Sequence, residues 1–246
     1  MSKTFLTAEW RFLAMLNFAI DPSILRPFVP TGTELDSYRG ITHVSVVGFH
    51  FLDTRVWGVG FPFHRDFEEV NLRFYVRHRS GEEWRRGVVF IRELVPRRAI
   101  AFIARTFYGE PYSALPMTHS IERSDSQIRV EYAWRCAGRW ESLHVRGSGE
   151  PQPVESGSEE EFITEHYWGY TSRTDGCSEY QVEHPRWQVW RGIEAGLDAD
   201  VASLYGERFV ESLSAQPASA FIADGSPIAV RYKTDLLPRT GPNHAM

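Results

Sequence analysis

The stretch Phe67-Glu68-Glu69-Val70-Asn71-Leu72-Arg73-Phe74-Tyr75-Val76-Arg77 constrains the fold more than any other. Its side chains sort at period two. Val70, Leu72, Phe74 and Val76 share one face; Glu69, Asn71, Arg73, Tyr75 and Arg77 share the other. That period is a β-strand with one face against an apolar core. The opposite face carries an acid, an amide, a guanidinium and a phenol. Either it meets water as a solvated face with a cross-strand ion pair, or it lines a polar cavity.

The rest of the chain repeats the strand signal. Residues 10–20 alternate as a strand buried on both faces, with Arg11 and Asn17 as polar exceptions. An isolated charge in such a strand is costly unless paired, so Arg11 either sits at a strand end or points at a polar partner. Asp21-Pro22-Ser23 reads as a helix start, with Asp as N-cap and Pro at the first helical position. Pro27 and Pro30 end that helix early. Strands are expected over 41–51 and 86–94, joined to the opening strand by the loop 57–62 and by a Ser80-Gly81-Glu82 hairpin. Ile100, Ile103, Ala104 and Phe107 at helical spacing predict a helix over about 97–107. A strand meander follows over 117–148, then a polar connector over 149–159. A short helix is expected within 160–169, strands near 179–183 and 187–193, and a short helix over 199–205. Final strands over 219–232 are expected to break at Asp224-Gly225-Ser226-Pro227. About a dozen short strands without βαβ alternation imply a mostly antiparallel sheet curled into a barrel or sandwich. The expected organisation is one domain over 1–237 and a disordered tail over 238–246.

Composition removes several functions. In a chain of 246 residues with a net charge of −5 and no basic block, nucleic-acid binding is not expected. Cys136 and Cys177 lie in no CxxC spacing, which suits a reducing cytoplasm. No run is long enough to cross a membrane and no signal peptide is evident. His43, His50, His64, Asp66 and Glu68 show no HxH or HExxH spacing, so no metal site is expected. Gly147-Ser148-Gly149 is not a nucleophile elbow, and Gly58-Val59-Gly60 lacks the third glycine and the context of a dinucleotide site. No cofactor is expected. The two lysines, Lys3 and Lys233, leave almost no candidates for amine chemistry. Glu69 and Arg73 remain: Arg73 can hold Glu69 ionised, or both can grip a substrate carboxylate or carbonyl.

Pro62-Phe63-His64, 67–73, Arg86-Gly87-Val88-Val89-Phe90, Ala104-Arg105, Glu110-Pro111-Tyr112 and Ala223-Asp224-Gly225-Ser226-Pro227 together resemble the YqjF-like family, a domain-of-unknown-function family similar to acetoacetate decarboxylase. The resemblance covers nearly the whole chain. It implies an antiparallel β-barrel or cone with a central pocket, and assembly that is often oligomeric. Leu25-Arg26, Val29-Pro30 and Leu35-Asp36 resemble the decarboxylase's N-terminal segment, and in that register Arg11 falls on its active-site arginine. The decarboxylase acts through a lysine imine. Its lysine pair follows a proline in a stretch resembling 105–113, where this chain has Tyr112 and Ser113 after Pro111. The resemblance therefore implies the scaffold without the imine chemistry. Arg11, Asn71 and Arg73 are the expected ligand-binding residues, and Tyr112, Glu69 and Glu110 the candidate acid–base residues. Three functions fit: a lysine-independent lyase, dehydratase or isomerase on a small carbonyl compound; a non-catalytic small-molecule binder or sensor; or a structural protein with a plugged barrel and no cavity.

Overall fold

In the computed structural model, residues 3–97, 109, 111–174 and 176–236 are described. The expected helix near 97–107, Glu110 and the tail 238–246 fall almost wholly outside them. The strands are β1 (Thr4–Ala19), β2 (Thr33–Leu35), β3 (His43–Val56), β4 (Phe67–Ser80), β5 (Glu83–Val95), β6 (Tyr112–Ala114), β7 (Met117–Arg123) and β8 (Gln127–Cys136). They continue with β9 (Arg139–Ser148), β10 (Gln152–Pro153), β11 (Trp168–Arg173), β12 (Gly176–Glu183), β13 (Gln188–Asp198), β14 (Ser219–Arg231) and β15 (Thr234–Leu236). Four short helices are described: α1 (Pro22–Leu25), α2 (Glu159–Thr164), α3 (Val201–Tyr205) and α4 (Val210–Ser214). Their starts follow local chemistry. Asp21 accepts from Ser23 N at 2.8 Å, with Pro22 inside the first turn. Ser158 Oγ accepts from Glu161 N at 3.1 Å to cap α2.

All strands join one mixed sheet, and its pairings close. β3, β1 and β14 follow β4 on one side, β5, β11 and β12 on the other, and β12 pairs back onto β14 through Val182↔Val230. Most pairs are antiparallel; β5–β11 and β5–β6 are parallel. Beyond β14 the sheet runs on through β13, β9, β8 and β7 and folds over the outside of this ring.

The ring strands under this layer, β1, β3, β4 and β14, are therefore buried on both faces over much of their length. Outward side chains such as Val70, Leu72, Phe74 and Val76 pack with Tyr132, Trp134 and Val145 of the outer layer. Gly48 on β3 is needed there, because a Cβ would lie 2.6 Å from the Tyr132 ring. Inward side chains such as Leu13, Phe49, Phe51, Phe67, Val88 and Trp187 form a second cluster.

Three irregularities change which residues point inward. In β3 the cavity-lining residues pass from Phe49 and Phe51 to Thr54 and Val56 across Asp53, at φ 47°. In β1 the pairing with β3 slips between Arg11 and Ala14, where Phe12 has φ 53°. Ala8 belongs to the inner cluster, and so do Leu13 and Met15, so the inward parity changes across Arg11 and Phe12. In β5, Leu72 pairs with Arg92 but Arg73 pairs with Phe90, leaving Ile91 as an extra residue. Such bulges shift every later side chain to the other face. The expected break at 224–227 is instead a continuous β14: Gly225, at φ 81°, takes a position where a Cβ would meet Trp10 O at 1.9 Å.

Candidate functional site

The inner face lines a partly open cavity of about 290 Å³. β4 sets its polar floor. Because its alternation is unbroken, Glu69, Asn71 and Arg73 all point inward, as the strand period requires, and all are buried. Asn71 Nδ2 donates to Glu69 Oε1 at 3.1 Å. Tyr112 OH, brought beside β5 by the parallel strand β6, donates to Glu69 Oε2 at 3.0 Å.

Burial pushes the Glu69 carboxyl up to about 7, against the hydrogen bonds from Asn71 and Tyr112 and the charge of Arg73, which all favour the anion. Burial and the facing carboxylates of Glu69 and Glu93 push the Tyr112 phenol well above its ordinary value, so it stays a neutral donor. A carboxyl that titrates near neutral pH beside a permanently protonated phenol can exchange a proton with a bound carbonyl compound.

Two buried polar atoms on this floor, Arg73 Nε and Asn71 Oδ1, have no hydrogen-bond partner among the described residues. Native proteins seldom leave such atoms unmet. A carboxylate against Arg73 and a donor against Asn71 would satisfy both.

The structure adds residues that the sequence pattern does not single out. Glu93 is buried in the wall, turned inward by the β5 bulge. His166 follows α2 and is pressed against Tyr75 and Phe162. Burial pushes its imidazole down to about 4, and Asp36 Oδ2 lies 3.5 Å from Nε2. Tyr180 and His184 also border the space. His166 and His184 lie in connectors without periodicity, so no local signal marks them.

Arg11 requires a correction. It does not border the cavity. Its guanidinium pairs with Glu9 at 2.8 Å and reaches Gly225 O at 3.4 Å, with a third of the side chain exposed. The β1 bulge is the reason: Trp10 and Leu13 line the cavity, and the residues between them do not. Neither Lys3 nor Lys233 borders it either. Glu110 lies outside the described residues. Among the described residues no group of three or more His, Cys, Asp and Glu is placed to hold a metal ion, and no helix is long and apolar enough to cross a membrane.

Comparison with known proteins places this geometry. The DUF2071 family, described as an uncharacterized conserved protein, matches residues 7–227. The uncharacterized protein YqjF of Bacillus subtilis (strain 168) is 28% identical over 208 residues, covering 82% of either chain. Among solved structures, an acetoacetate decarboxylase-like enzyme from Sphingomonas wittichii RW1 superposes with TM-score 0.67 at 14% identity, covering 96% of this chain and 94% of that one. The acetoacetate decarboxylase of Legionella pneumophila gives 0.65 at 13%, covering 94% and 87%. The enduracididine biosynthesis enzyme MppR complexed with pyruvate gives 0.65 at 11%, covering 96% and 91%. At such identities the shared property is the fold.

Proposed function

The chain belongs to the DUF2071 family, and from that premise we propose that its barrel binds a small carbonyl- or carboxylate-bearing metabolite without forming a lysine imine. The observation that carries this reading is the buried Arg73 Nε, without a hydrogen-bond partner among the described residues, beside the Glu69–Tyr112 pair in one cavity. Arg73 anchors the anionic group. Tyr112 turns its hydroxyl from Glu69 to the substrate carbonyl oxygen. Glu69, in its ionised fraction, takes the proton from the adjacent carbon; that electron pair forms the enol double bond, and the carbonyl oxygen receives charge against the Tyr112 donor. Enolisation, dehydration and non-imine carbon–carbon cleavage all begin this way. The acetoacetate decarboxylase fold and the pyruvate complex of MppR support the substrate class by analogy.

Titration of the purified protein with small 2-oxo and 3-oxo acids tests this. Arg73→Met is expected to weaken binding at least tenfold, whereas Tyr112→Phe keeps most of the affinity. Loss of turnover in Tyr112→Phe marks an enzyme; a parent protein that binds an oxo acid and converts none is a sensor or carrier on the same scaffold. Borohydride after acetoacetate should leave no adduct. A covalent adduct on Lys233 would overturn the imine-free mechanism, and failure of every oxo acid to bind would overturn the site.

A further inference from the structure

The cavity is larger and more apolar than an oxo-acid head group needs. By the share of liquid volume a water takes, its 290 Å³ accommodates about ten waters, hence a ligand on the order of ten non-hydrogen atoms. Its polar side chains gather among the buried residues: Glu69, Asn71, Arg73, Glu93 and His166 are each less than a tenth exposed. The rest of the wall is mostly apolar, Leu, Ile and Val together with an aromatic set that includes Trp10, Phe51, Phe90, Trp168 and Trp187, and is interrupted by Thr54, His64, Thr164 and His184. The apolar lining continues outward. Leu6 and Val56 border the cavity and are half-buried; Phe61 borders it and is 46% exposed. The loop bearing Phe61 also presents Trp57, Val59 and Phe63 to solvent. Trp57 packs edge-on against the cavity residue Phe5 at 5.7 Å.

Resting on the function proposed above, we infer that the ligand is an oxo acid, or a closely related carbonyl carboxylate, carrying an alkyl or aryl tail of several carbons. Its head meets Arg73, Asn71 and the Glu69–Tyr112 pair. Its tail lies along the aromatic wall toward Phe61. A short oxo acid fills only the polar end and leaves the apolar wall facing water, which forfeits the burial that the wall offers. An apolar compound without the acid leaves Arg73 unmet.

The experiment is calorimetric titration of the intact protein with pyruvate, 2-oxohexanoate, 2-oxooctanoate and phenylpyruvate. Affinity is expected to rise about fourfold for each methylene added until the cavity is full. Phenylpyruvate should bind well above pyruvate. Arg73→Met should weaken 2-oxooctanoate at least tenfold, and Phe61→Ser, at an exposed position the fold does not rely on, should lower the ratio of 2-oxooctanoate to pyruvate affinity. Pyruvate binding with flat or falling affinity along the series would overturn the tail while leaving the function reading intact. Long-chain binding that ignores Arg73→Met would overturn the head-to-wall arrangement. No binding by any of the four would overturn both readings together.

Discussion

Leu72 and Arg73 are neighbours on β4, both buried, and face opposite ways. Leu72 points outward into packed side chains of the outer layer, within a cluster that includes Tyr132, Trp134 and Val145. Arg73 points inward to a space that contains, among the described residues, no matching charge within ion-pair distance; Glu69 acts on it only through the field. One face of the strand is close-packed and fully satisfied. The other holds a partly open cavity, a carboxyl pushed toward neutrality and unmet polar atoms. Local rules broken on one face only, in a strand otherwise consistent with its fold, are the pattern expected of a functional face and support the site proposed above. The outer face supplies stability, and the inner face lowers it.

That contrast can be broken by measurement. The largest effect belongs to the outer face: Leu72→Ala should lose about 2–5 kcal/mol in urea unfolding, the sum of lost transfer and the void left behind. A loss under about 1 kcal/mol would mean that this face is not the packed one.

Next in size is Glu69→Gln. The folded carboxyl stays protonated up to about 7, whereas the unfolded one ionises near 4.5. Its contribution is therefore fully present below 4.5 and lost as pH rises through 7. Glutamine removes the loss, so the variant should exceed the parent by up to about 3 kcal/mol at pH 8 and match it near pH 4. His166 works in the opposite sense: its contribution is present above 6.5 and lost as pH falls through about 4. With Glu69 replaced, stability should therefore climb visibly from pH 4 to 6.5. A Glu69→Gln variant no more stable than the parent at pH 8 would return Glu69 to an ordinary solvated acid.

The smallest effect sharpens the comparison with β1. Arg11→Met removes a half-exposed ion pair with Glu9 and should cost at most about 1 kcal/mol, with oxo-acid affinity unchanged. A tenfold loss of affinity would place Arg11 in the cavity after all.

Much of this was legible in the residues. Period-two alternation in 67–77 dictates β4 and puts Glu69, Asn71 and Arg73 on one face. The Asp21-Pro22 start, the Ser80-Gly81 turn and the 117–148 meander follow from local chemistry and appear as read. Whether the polar face of β4 meets water or a cavity was not legible. That depends on β12 reaching β14 to close the ring, a contact between residues far apart in sequence.

The sequence by itself determined most of the long strands, their faces wherever alternation is unbroken, and the polar row of β4. The tertiary structure decided everything downstream of a bulge. One extra residue at Phe12 leaves Arg11 outside the cavity, paired with Glu9, and one at Ile91 turns Glu93 into the cavity. A bulge leaves its extra residue unpaired, and nothing in Phe12 or Ile91 announces it: a positive φ at a phenylalanine is held by the neighbouring strands, not chosen by the side chain. Because side chains alternate strictly, a single unannounced residue exchanges inside for outside.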